Sequence, residues 1–280
     1  MATMHVQVIL APYDSGHLRQ RMGLGPQRIY EAGLRDLFSR MGTHFVCEEI
    51  SLGSGYAAEI SAAFQLCRRL AERVRECKQR GMFPIVLSGN CNAAVGTVSG
   101  CGARDTGIVW FDAHGESTTP ETTSSGFLDG MGISTLAGQC WRTLAEGVPG
   151  FTPVPGKRIV LFGARDVEPA ERSLLERMGV LQLAKSEQLQ EILSANAEGF
   201  HQVYVHVDLD VLNPMVAIAN QWAPPGGISL ETLTGAIAEI QRHATISALG
   251  IASYDPASDH NGNALNAAVA VAEAALYRRS

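Results

Sequence analysis

The chain has 280 residues, of which 46% are hydrophobic and 18% charged, and its formal net charge at pH 7 is -6. This length and apolar content predict a single large α/β domain over residues 1–280. The acidic balance argues against nucleic acid or an anionic membrane as the main partner. Because the sequence shows no run of 18 apolar residues and no signal-like N-terminus, we expect a cytoplasmic protein.

Strand and helix signals alternate along the whole chain. Short apolar runs bounded by Gly, Pro or polar residues predict strands at 5–11, 44–50, 83–88, 106–111, 157–162, 180–184, 203–207 and 246–252. Helical patterns predict helices at 27–41, 56–80, after 90, from about 168, and at 187–197, 230–243 and 264–277, with a long polar loop at 115–130. This alternation is typical of a mostly parallel sheet covered by helices on both faces.

Two segments, about ninety residues apart, end an apolar run in alternating ionisable residues. The first carries Asp112, His114 and Glu116, and the second carries Asp208 and Asp210. Alternate side chains of a strand share a face, and ligands of parallel sheets bind at the carboxyl ends of strands. Four acids gathered there would repel one another unless cations lay between them. Either segment alone is typical of a helix cap or a turn, but together they predict a site for two divalent metal ions.

The motifs along the chain resemble those of the arginase (ureohydrolase) family. The matching motifs are Ala11-Pro-Tyr-Asp-Ser-Gly16 with Gly25-Pro26, Ser88-Gly-Asn-Cys91, Asp112-Ala-His-Gly-Glu116, Thr119-Pro-Glu-Thr-Thr-Ser-Ser-Gly126, Gly163-Ala-Arg-Asp-Val-Glu168, Asp208-Leu-Asp210 and Pro225-Gly-Gly227. The resemblance implies a three-layer α/β/α fold around an eight-stranded parallel sheet. It also implies two manganese ions at the strand ends and hydrolysis of a guanidino or related C–N bond by a metal-bridging hydroxide.

The resemblance, carried over position by position, implies a set of metal ligands. They are Cys91, Asp112, His114, Glu116, Asp208 and Asp210. Asp112 and Asp208 would bridge the two ions, and Cys91 and Glu116 would complete the ligands of one of them. His206, two residues before Asp208, either orients that carboxylate or is an ordinary core histidine.

Two of these ligand positions depart from the family pattern. Cys91 stands where the family usually has histidine, after Gly89-Asn90 in place of a Gly-Asp pair. A thiolate is a softer ligand, so Zn²⁺ or Fe²⁺ competes with Mn²⁺ at that ion. Such a cysteine is similar to that of arginase-like enzymes acting on N-hydroxyarginine, and a buried thiol beside a one-metal site is the alternative. Glu116 stands at an aspartate position, where its extra methylene re-spaces the ions or weakens one of them.

Further positions match the substrate pocket of arginases. Thr118, Ser125 and Glu168 stand where arginases hold the α-carboxylate and α-amino groups of an amino acid, although Glu168 is equally typical of a helix N-terminus. Asp129 stands where arginases carry a histidine that shuttles protons. We therefore predict Asp129 as the general acid or base, and we count the metal ligand Glu116 among the catalytic residues.

The inner part of the pocket departs from the arginase pattern. Ser253 stands where arginases carry a glutamate that pairs with the guanidinium group, and Trp222 stands where threonine is usual. Serine cannot replace a bidentate charged pair, whereas Trp222 either stacks on a planar cation or closes the pocket.

The sequence thus predicts a binuclear metal-dependent hydrolase of an arginine-like small molecule with a guanidino, hydroxyguanidino, ureido or amidine group. The alternative is a divergent protein of this fold that binds a ligand or performs a metal-assisted reaction other than hydrolysis. The oligomeric state is left open, and a homo-oligomer is compatible with the sequence.

Overall fold

The computed structural model describes residues 5–53, 58–195 and 200–277, and the structural statements below refer to these residues. The strands are β1 (His5–Ala11), β2 (Tyr13–Asp14), β3 (His17–Leu18), β4 (His44–Glu49), β5 (Phe83–Ser88), β6 (Thr106–Phe111), β7 (Ile159–Phe162), β8 (Leu181–Leu183), β9 (Gln202–Asp208) and β10 (Thr245–Ala252). The α-helices are α1 (Gly25–Ile29), α2 (Arg35–Met41), α3 (Glu59–Gln79), α4 (Ala94–Cys101), α5 (Gly132–Leu136), α6 (Arg142–Glu146), α7 (Pro169–Met178), α8 (Ser186–Ser194), α9 (Leu230–His243) and α10 (Asn263–Leu276).

The main sheet has eight strands in the order β4-β1-β5-β10-β9-β6-β7-β8, and every neighbouring pair is parallel. Its central strands are apolar along nearly their whole length, and every residue of β6 is buried. Such continuous apolar runs are expected for strands that are covered on both faces. β2 and β3 form a separate antiparallel hairpin.

Helices cover both faces of the sheet and form three layers with it. Along β9, Val203, Val205 and Val207 face the layer that contains α1, α2, α8, α9 and α10, whereas Tyr204 faces the layer that contains α3 to α7. The alternation follows from the two-residue period of a strand. The predicted three-layer α/β/α fold around an eight-stranded parallel sheet is confirmed.

Most element boundaries agree with the sequence prediction, and β5, β6 and α9 begin and end at the predicted residues. The predicted helix at 27–41 begins earlier, at Gly25, and contains a turn of π-helix at Tyr30–Leu34. There Gly33 lies so close to Val269 that a Cβ atom would come within 2.3 Å of it. The β2–β3 hairpin and helices α5 and α6 were not predicted.

Parts of two predicted helices cannot be compared with the structure. The first residues of the helix predicted at 56–80 and the last residues of the helix predicted at 187–197 lie outside the described ranges. Within those ranges, no helix is both long and apolar enough to cross a membrane.

Candidate metal centre and active site

The candidate site lies at the carboxyl ends of four adjacent strands, β5, β10, β9 and β6. Cys91 comes shortly after β5, Ser253 directly after β10, and Asp112 directly after β6, while Asp208 is the last residue of β9. All four side chains are buried. The parallel sheet therefore brings together residues that are far apart in the sequence, at the edge where such sheets bind ligands.

Two groups of metal-ligand atoms form at this edge, and they share one carboxylate. Asp112, His114 and Asp210 make up the first group, and Cys91, Asp112 and Glu116 make up the second. Within each group, one ligand atom per residue lies within 4.8 Å of the others. A carboxylate that belongs to two neighbouring groups can bridge two cations, which is the arrangement predicted for Asp112.

Asp208 lies beside the second of these groups. Its Oδ2 atom is 3.0 Å from Cys91 Sγ, and the same sulfur is 3.9 Å from Asp112 Oδ2. The structure thus brings together the ligands predicted from the two sequence segments and from Cys91.

Short backbone contacts set the direction of the carboxylates at the end of β9. The Asp210 N–H donates to Asp208 Oδ1 at 2.9 Å, which caps the single 3-10 turn Leu209–Val211. That turn brings Asp210 back towards the neighbouring strand end, where Asp210 Oδ1 accepts a hydrogen bond from Ala113 N at 3.2 Å. The chain after β9 is thereby fixed to the chain after β6.

The chain after β6 is bent in a similar way. The His114 N–H donates to Asp112 Oδ1 at 2.8 Å, and the His114 imidazole lies 3.3 Å from Asp210 Oδ2. Glu116 then adopts a left-handed backbone conformation with φ of 50°. This conformation is uncommon for a residue other than glycine and is typical of functional sites.

The ionisable side chains of the site shift one another's pKa values. Burial and the charge of Asp112 raise the pKa of Glu116 well above its usual range. Burial and the charges of Asp210 and Asp112 likewise raise the pKa of Asp208. Burial opposes protonation of His114, but its hydrogen bonds with Asp112 and Asp210 outweigh burial and raise the pKa of the imidazole to about 12. The acids therefore favour a nearby positive charge.

The residues present fit divalent metal ions. Glu116 Oε2 is buried and has no hydrogen-bond partner among the described residues, which is costly for a carboxylate unless a cation binds it. Carboxylate and imidazole groups are common protein ligands of Mn²⁺, Fe²⁺ and Zn²⁺, and thiolate is common for Zn²⁺ and iron. The buried acids, the unsatisfied oxygen and the mixed donor set all support a metal centre.

His206 packs in the core behind Trp110, and no contact with Asp208 is found among the described residues. Its Nδ1 atom lies 2.8 Å from the Tyr204 hydroxyl, and its ring packs on Trp110 at a centroid distance of 3.8 Å. Trp110 Nε1 in turn donates to Asp112 Oδ2 at 2.8 Å. Burial lowers the pKa of His206 to about 3, so the ring is neutral and packs as a core residue.

Asp129 is held by two hydrogen-bond donors at the edge of the site. Its Oδ1 atom accepts from the Asn92 N–H, and its Oδ2 atom accepts from the Asn90 side-chain amide, both at 2.9 Å. Burial raises the pKa of Asp129 to about 7, although these two hydrogen bonds oppose the increase. A carboxyl group with this pKa can both accept and release a proton near neutral pH.

Ser253 lies inside the site, whereas Trp222 lies at its surface. Ser253 is buried, and its Oγ atom is 3.5 Å from Cys91 Sγ. Trp222 is 52% exposed and packs near Phe127, with ring centroids 6.2 Å apart. Asn220 connects the two, because its amide donates to the Ser253 carbonyl at 2.9 Å and accepts the Trp222 N–H at 2.8 Å.

The residues predicted to bind an amino acid group lie in or beside the loop at 115–130. Ser125 and Glu168 are exposed, and Glu168 caps α7 and accepts a hydrogen bond from Ser124 Oγ at 2.9 Å. Thr118 Oγ1 donates to the Gly130 carbonyl at 2.7 Å, so its proton is used within the loop. Ser125 Oγ accepts the Phe127 N–H, so its proton is free to donate to a carboxylate, and Glu168 keeps oxygens that could accept from an ammonium group, whereas the Thr118 hydroxyl would have to leave Gly130 in order to donate.

Two supporting residues were not found from the sequence. Arg165 donates to a series of backbone carbonyls, including those of Asp210 at 2.9 Å and Pro225 at 3.1 Å. Glu171 is buried and accepts the N–H groups of Ser117 and Glu168. Because both bind backbone atoms, neither leaves a residue pattern that a single sequence would reveal.

The match to known proteins extends over almost the whole chain. The sequence model described as the arginase family matches residues 4–277. The chain belongs to the arginase family. Its membership supports a metal-dependent ureohydrolase-type function.

Individual relatives are distant in sequence but align over most of their length. The arginase of Bacillus caldovelox is 25% identical over 289 residues, which covers 95% of this chain and 96% of that protein. Arginase-1 of Homo sapiens is 29% identical over 279 residues, covering 90% of this chain and 85% of that protein. The crystal structure of an arginase from Bacillus cereus superposes with a TM-score of 0.87 at 23% identity, over 99% of this chain and 100% of that one. At this identity the structural likeness establishes the fold.

Proposed function

We propose that this arginase-family protein is a binuclear metal-dependent hydrolase of a C–N bond in an arginine-like small molecule. The group cleaved would be a guanidino, hydroxyguanidino, ureido or amidine group. The observation that carries the proposal is the pair of ligand groups at the strand ends, which share Asp112. Their position at the carboxyl edge of the sheet is where a substrate can reach them.

Two ions would be held by six side chains. We assign as ligands Cys91, Asp112, His114, Glu116, Asp208 and Asp210, with Asp112 and Asp208 serving both ions. When bound, two divalent ions lower the pKa of a water molecule and stabilise negative charge that develops on the substrate. Mn²⁺ is the first candidate from the family, and Zn²⁺ or Fe²⁺ competes where Cys91 is a ligand.

Asp129 is the candidate for moving protons. Its two oxygens each accept one hydrogen bond from the protein, from Asn92 N and from the Asn90 amide, so each keeps a lone pair for a proton. Hydrolysis of the C–N bond requires a proton to leave the attacking water and a proton to reach the departing nitrogen. A carboxyl group fixed at one edge of the site can perform both transfers in turn. Glu116 would contribute to catalysis as a ligand of one of the metal ions.

The buried end of the pocket favours a group other than an ordinary guanidinium. Ser253 offers a hydroxyl where a bidentate carboxylate would be needed to pair with that cation. Trp222 is half exposed and available to pack on a planar group. We therefore propose a modified arginine as substrate, with Thr118, Ser125 and Glu168 binding its amino acid end.

One contact favours a second candidate function, a one-metal protein that does not hydrolyse. Burial and the charge of Asp208 raise the pKa of the Cys91 thiol well above its usual range, and the thiol is placed to donate to Asp208 Oδ2 at 3.0 Å. If the thiol keeps its proton, a single ion would bind the group of Asp112, His114 and Asp210. Such a protein would bind a ligand or perform another metal-assisted reaction.

Metal content and hydrolysis together test the proposal. Purified protein is loaded with Mn²⁺, Fe²⁺ or Zn²⁺, freed of excess metal and analysed for elements. The same samples are then assayed for release of urea, hydroxyurea or amine from L-arginine, N-hydroxy-L-arginine, agmatine and ureido analogues. Two equivalents of metal per chain with turnover of a modified arginine would support the binuclear hydrolase. One equivalent or less without turnover would favour the second candidate.

A further inference from the structure

The side chain of Asn90 makes three hydrogen bonds inside the protein. It is 6% exposed, and its carbonyl oxygen accepts the Ser15 N–H at 2.8 Å. Its amide nitrogen donates to Asp129 Oδ2 at 2.9 Å and to Asp14 Oδ1 at 3.3 Å. Because a backbone N–H must meet an acceptor, the contact with Ser15 fixes which end of the amide faces the two carboxylates.

These three partners together require an amide. An aspartate at position 90 would still accept the Ser15 N–H, but its second oxygen would face Asp14 and Asp129 and be repelled by both. A serine or alanine would be too short to reach both carboxylates. The sequence departs from the family pattern at both Asn90 and Asp129, and the structure joins the two departures in one hydrogen bond.

The far side of the amide is anchored as well. Asp14 is fully buried, and Arg21 Nε lies 2.8 Å from its Oδ2 atom, so a guanidinium group balances its charge. The Asp14 oxygen that accepts from Asn90 is the other one, Oδ1. Arg21, Asp14, Asn90 and Asp129 therefore form a continuous chain of polar contacts that ends at the site.

We infer that Asn90 is a positioning residue that holds the Asp129 carboxylate in the orientation required for proton transfer. The inference rests on the proposed function, because Asp129 transfers protons only if the protein hydrolyses its substrate. Asn90 fixes one oxygen of the carboxylate and Asn92 N–H fixes the other. Rotation of the group would break both hydrogen bonds, so the free lone pairs keep one direction.

A stability cycle tests the hydrogen bond itself. Asn90→Asp should lower the melting temperature of the metal-loaded protein strongly, because three carboxylates then meet. Asp129→Asn in the same chain restores an amide–carboxylate pair with the roles exchanged. The double variant should melt on the order of 3–6 °C above the value obtained by adding the effects of the single variants. Asn266→Asp, at an exposed position of α10, is the matched control and should change the melting temperature little.

Kinetics test the positioning role. The substrate is the member of the panel above that the native protein hydrolyses fastest. Asn90→Ser leaves the carboxylate present but held only by the Asn92 N–H, and kcat should fall roughly 10- to 100-fold with KM within about threefold of native. Asp129→Asn should lower kcat by roughly 10²–10⁴. The double variant Asn90→Asp with Asp129→Asn should recover part of the lost stability, because the repulsion by Asp14 remains, without recovering turnover, a split that a purely structural pair would not show.

The remaining outcomes contradict either the hydrogen bond or the positioning role. Strictly additive melting temperatures would show that Asn90 does not donate to Asp129. An unchanged kcat in Asn90→Ser, or native turnover in the double variant, would leave the hydrogen bond but remove the positioning role. If the native protein hydrolyses no substrate of the panel, both the proposed function and the positioning role of Asn90 are wrong. The stability cycle still shows in that case whether Asn90 and Asp129 form a hydrogen bond.

Discussion

Ser253 is buried among acidic and sulfur-bearing side chains, with a left-handed backbone at φ of 62°. Its hydroxyl is 3.5 Å from Cys91 Sγ, and its carbonyl accepts from Asn220. Asn220 also approaches Asp210 Oδ2 at 3.5 Å, so the residue beside the proposed substrate group is connected to a proposed metal ligand. A change at position 253 should therefore affect both substrate choice and the proposed metal centre.

The absence of a carboxylate at position 253 should make free L-arginine a poor substrate. We expect Ser253→Glu to raise kcat/KM for L-arginine, because a charged hydrogen bond contributes about 1.5–3 kcal/mol, or roughly ten- to a hundredfold. The gain should be larger when Trp222→Thr is added, since the indole would otherwise restrict the guanidinium. Urea release measured for the native protein and the two variants checks this. Arginase-like rates in the native protein would contradict the assignment of this pocket.

Cys91 should give a spectroscopic signal if it is a ligand. In protein loaded with Co²⁺, a metal-bound thiolate produces a charge-transfer absorption band in the near ultraviolet, and Cys91→Ser should abolish it. Cys67→Ser is the matched control, because Cys67 is also buried, has a pKa raised to about 12 by burial, and donates to the Asn92 carbonyl instead. A band that survives in Cys91→Ser, or is lost in Cys67→Ser, would exclude Cys91 as the thiolate ligand.

At the scale of elements, the loops that follow the central strands are fixed to one another by Arg165. Its guanidinium donates to the carbonyls of Asp210 at 2.9 Å and Val211 at 3.2 Å after β9. It also donates to Pro224 and Pro225, at 3.0 and 3.1 Å, in the loop before α9. One planar fork thus holds the turn Leu209–Val211, which carries the proposed ligand Asp210, in place through its backbone.

Loss of this fork should weaken metal binding without removing a ligand. Arg165→Lys keeps the positive charge but cannot reach the same carbonyls, and we expect Mn²⁺ affinity to fall roughly 10- to 100-fold, as for other residues that support metal ligands. Calorimetric titration of the metal-free protein measures the change. Arg142→Lys is the control, because Arg142 lies in an exposed pair with Glu146 on α6. Equal Mn²⁺ affinities of native protein and Arg165→Lys would contradict the proposed support.

The close packing of the same loop explains why position 227 is a glycine. Gly227 has φ of 110°, and a Cβ atom there would come within 2.7 Å of the Val211 carbonyl. The loop before α9 therefore approaches the turn Leu209–Val211 closely only because position 227 has no side chain. The resemblance identified the Pro225-Gly-Gly227 motif, and the structure supplies its physical reason.

For the molecule as a whole, the sheet was predictable because its strands are buried on both faces. β6 and β9 are continuous apolar runs that end in acidic residues, so the sequence alone placed them correctly. The π-helical turn Tyr30–Leu34 was not predictable, because it depends on the packing of Gly33 against α10. The β2–β3 hairpin is too short to leave an alternating pattern.

Some residues of the candidate site could likewise be predicted from the sequence, and others could not. Candidate ligands at the ends of apolar strands, such as Asp112 and Asp208, could be predicted from their positions. The sequence identified Asn90 only as a departure from the family pattern, since its proposed positioning role depends on contacts with Ser15 and Asp14, which are about 75 residues away in sequence. Contacts of this kind are set by the tertiary fold and leave no local signal.

Metal binding should make a large contribution to the stability of the whole molecule. At a free Mn²⁺ concentration of about 100 times Kd, binding to the native state adds about 2.7 kcal/mol, or on the order of 5–10 °C in Tm, and chelation should remove it. In Asp112→Ala the carboxylate shared by the two ligand groups is lost, so Tm should no longer respond to chelator. Because the variant also loses a buried acid, it should be no less stable than the metal-free native protein. Asp208→Ala should behave alike, and Asp105→Ala, at an exposed position, should keep the full response. Scanning calorimetry with and without chelator measures all four proteins, and a chelator response retained in Asp112→Ala would place the metal elsewhere.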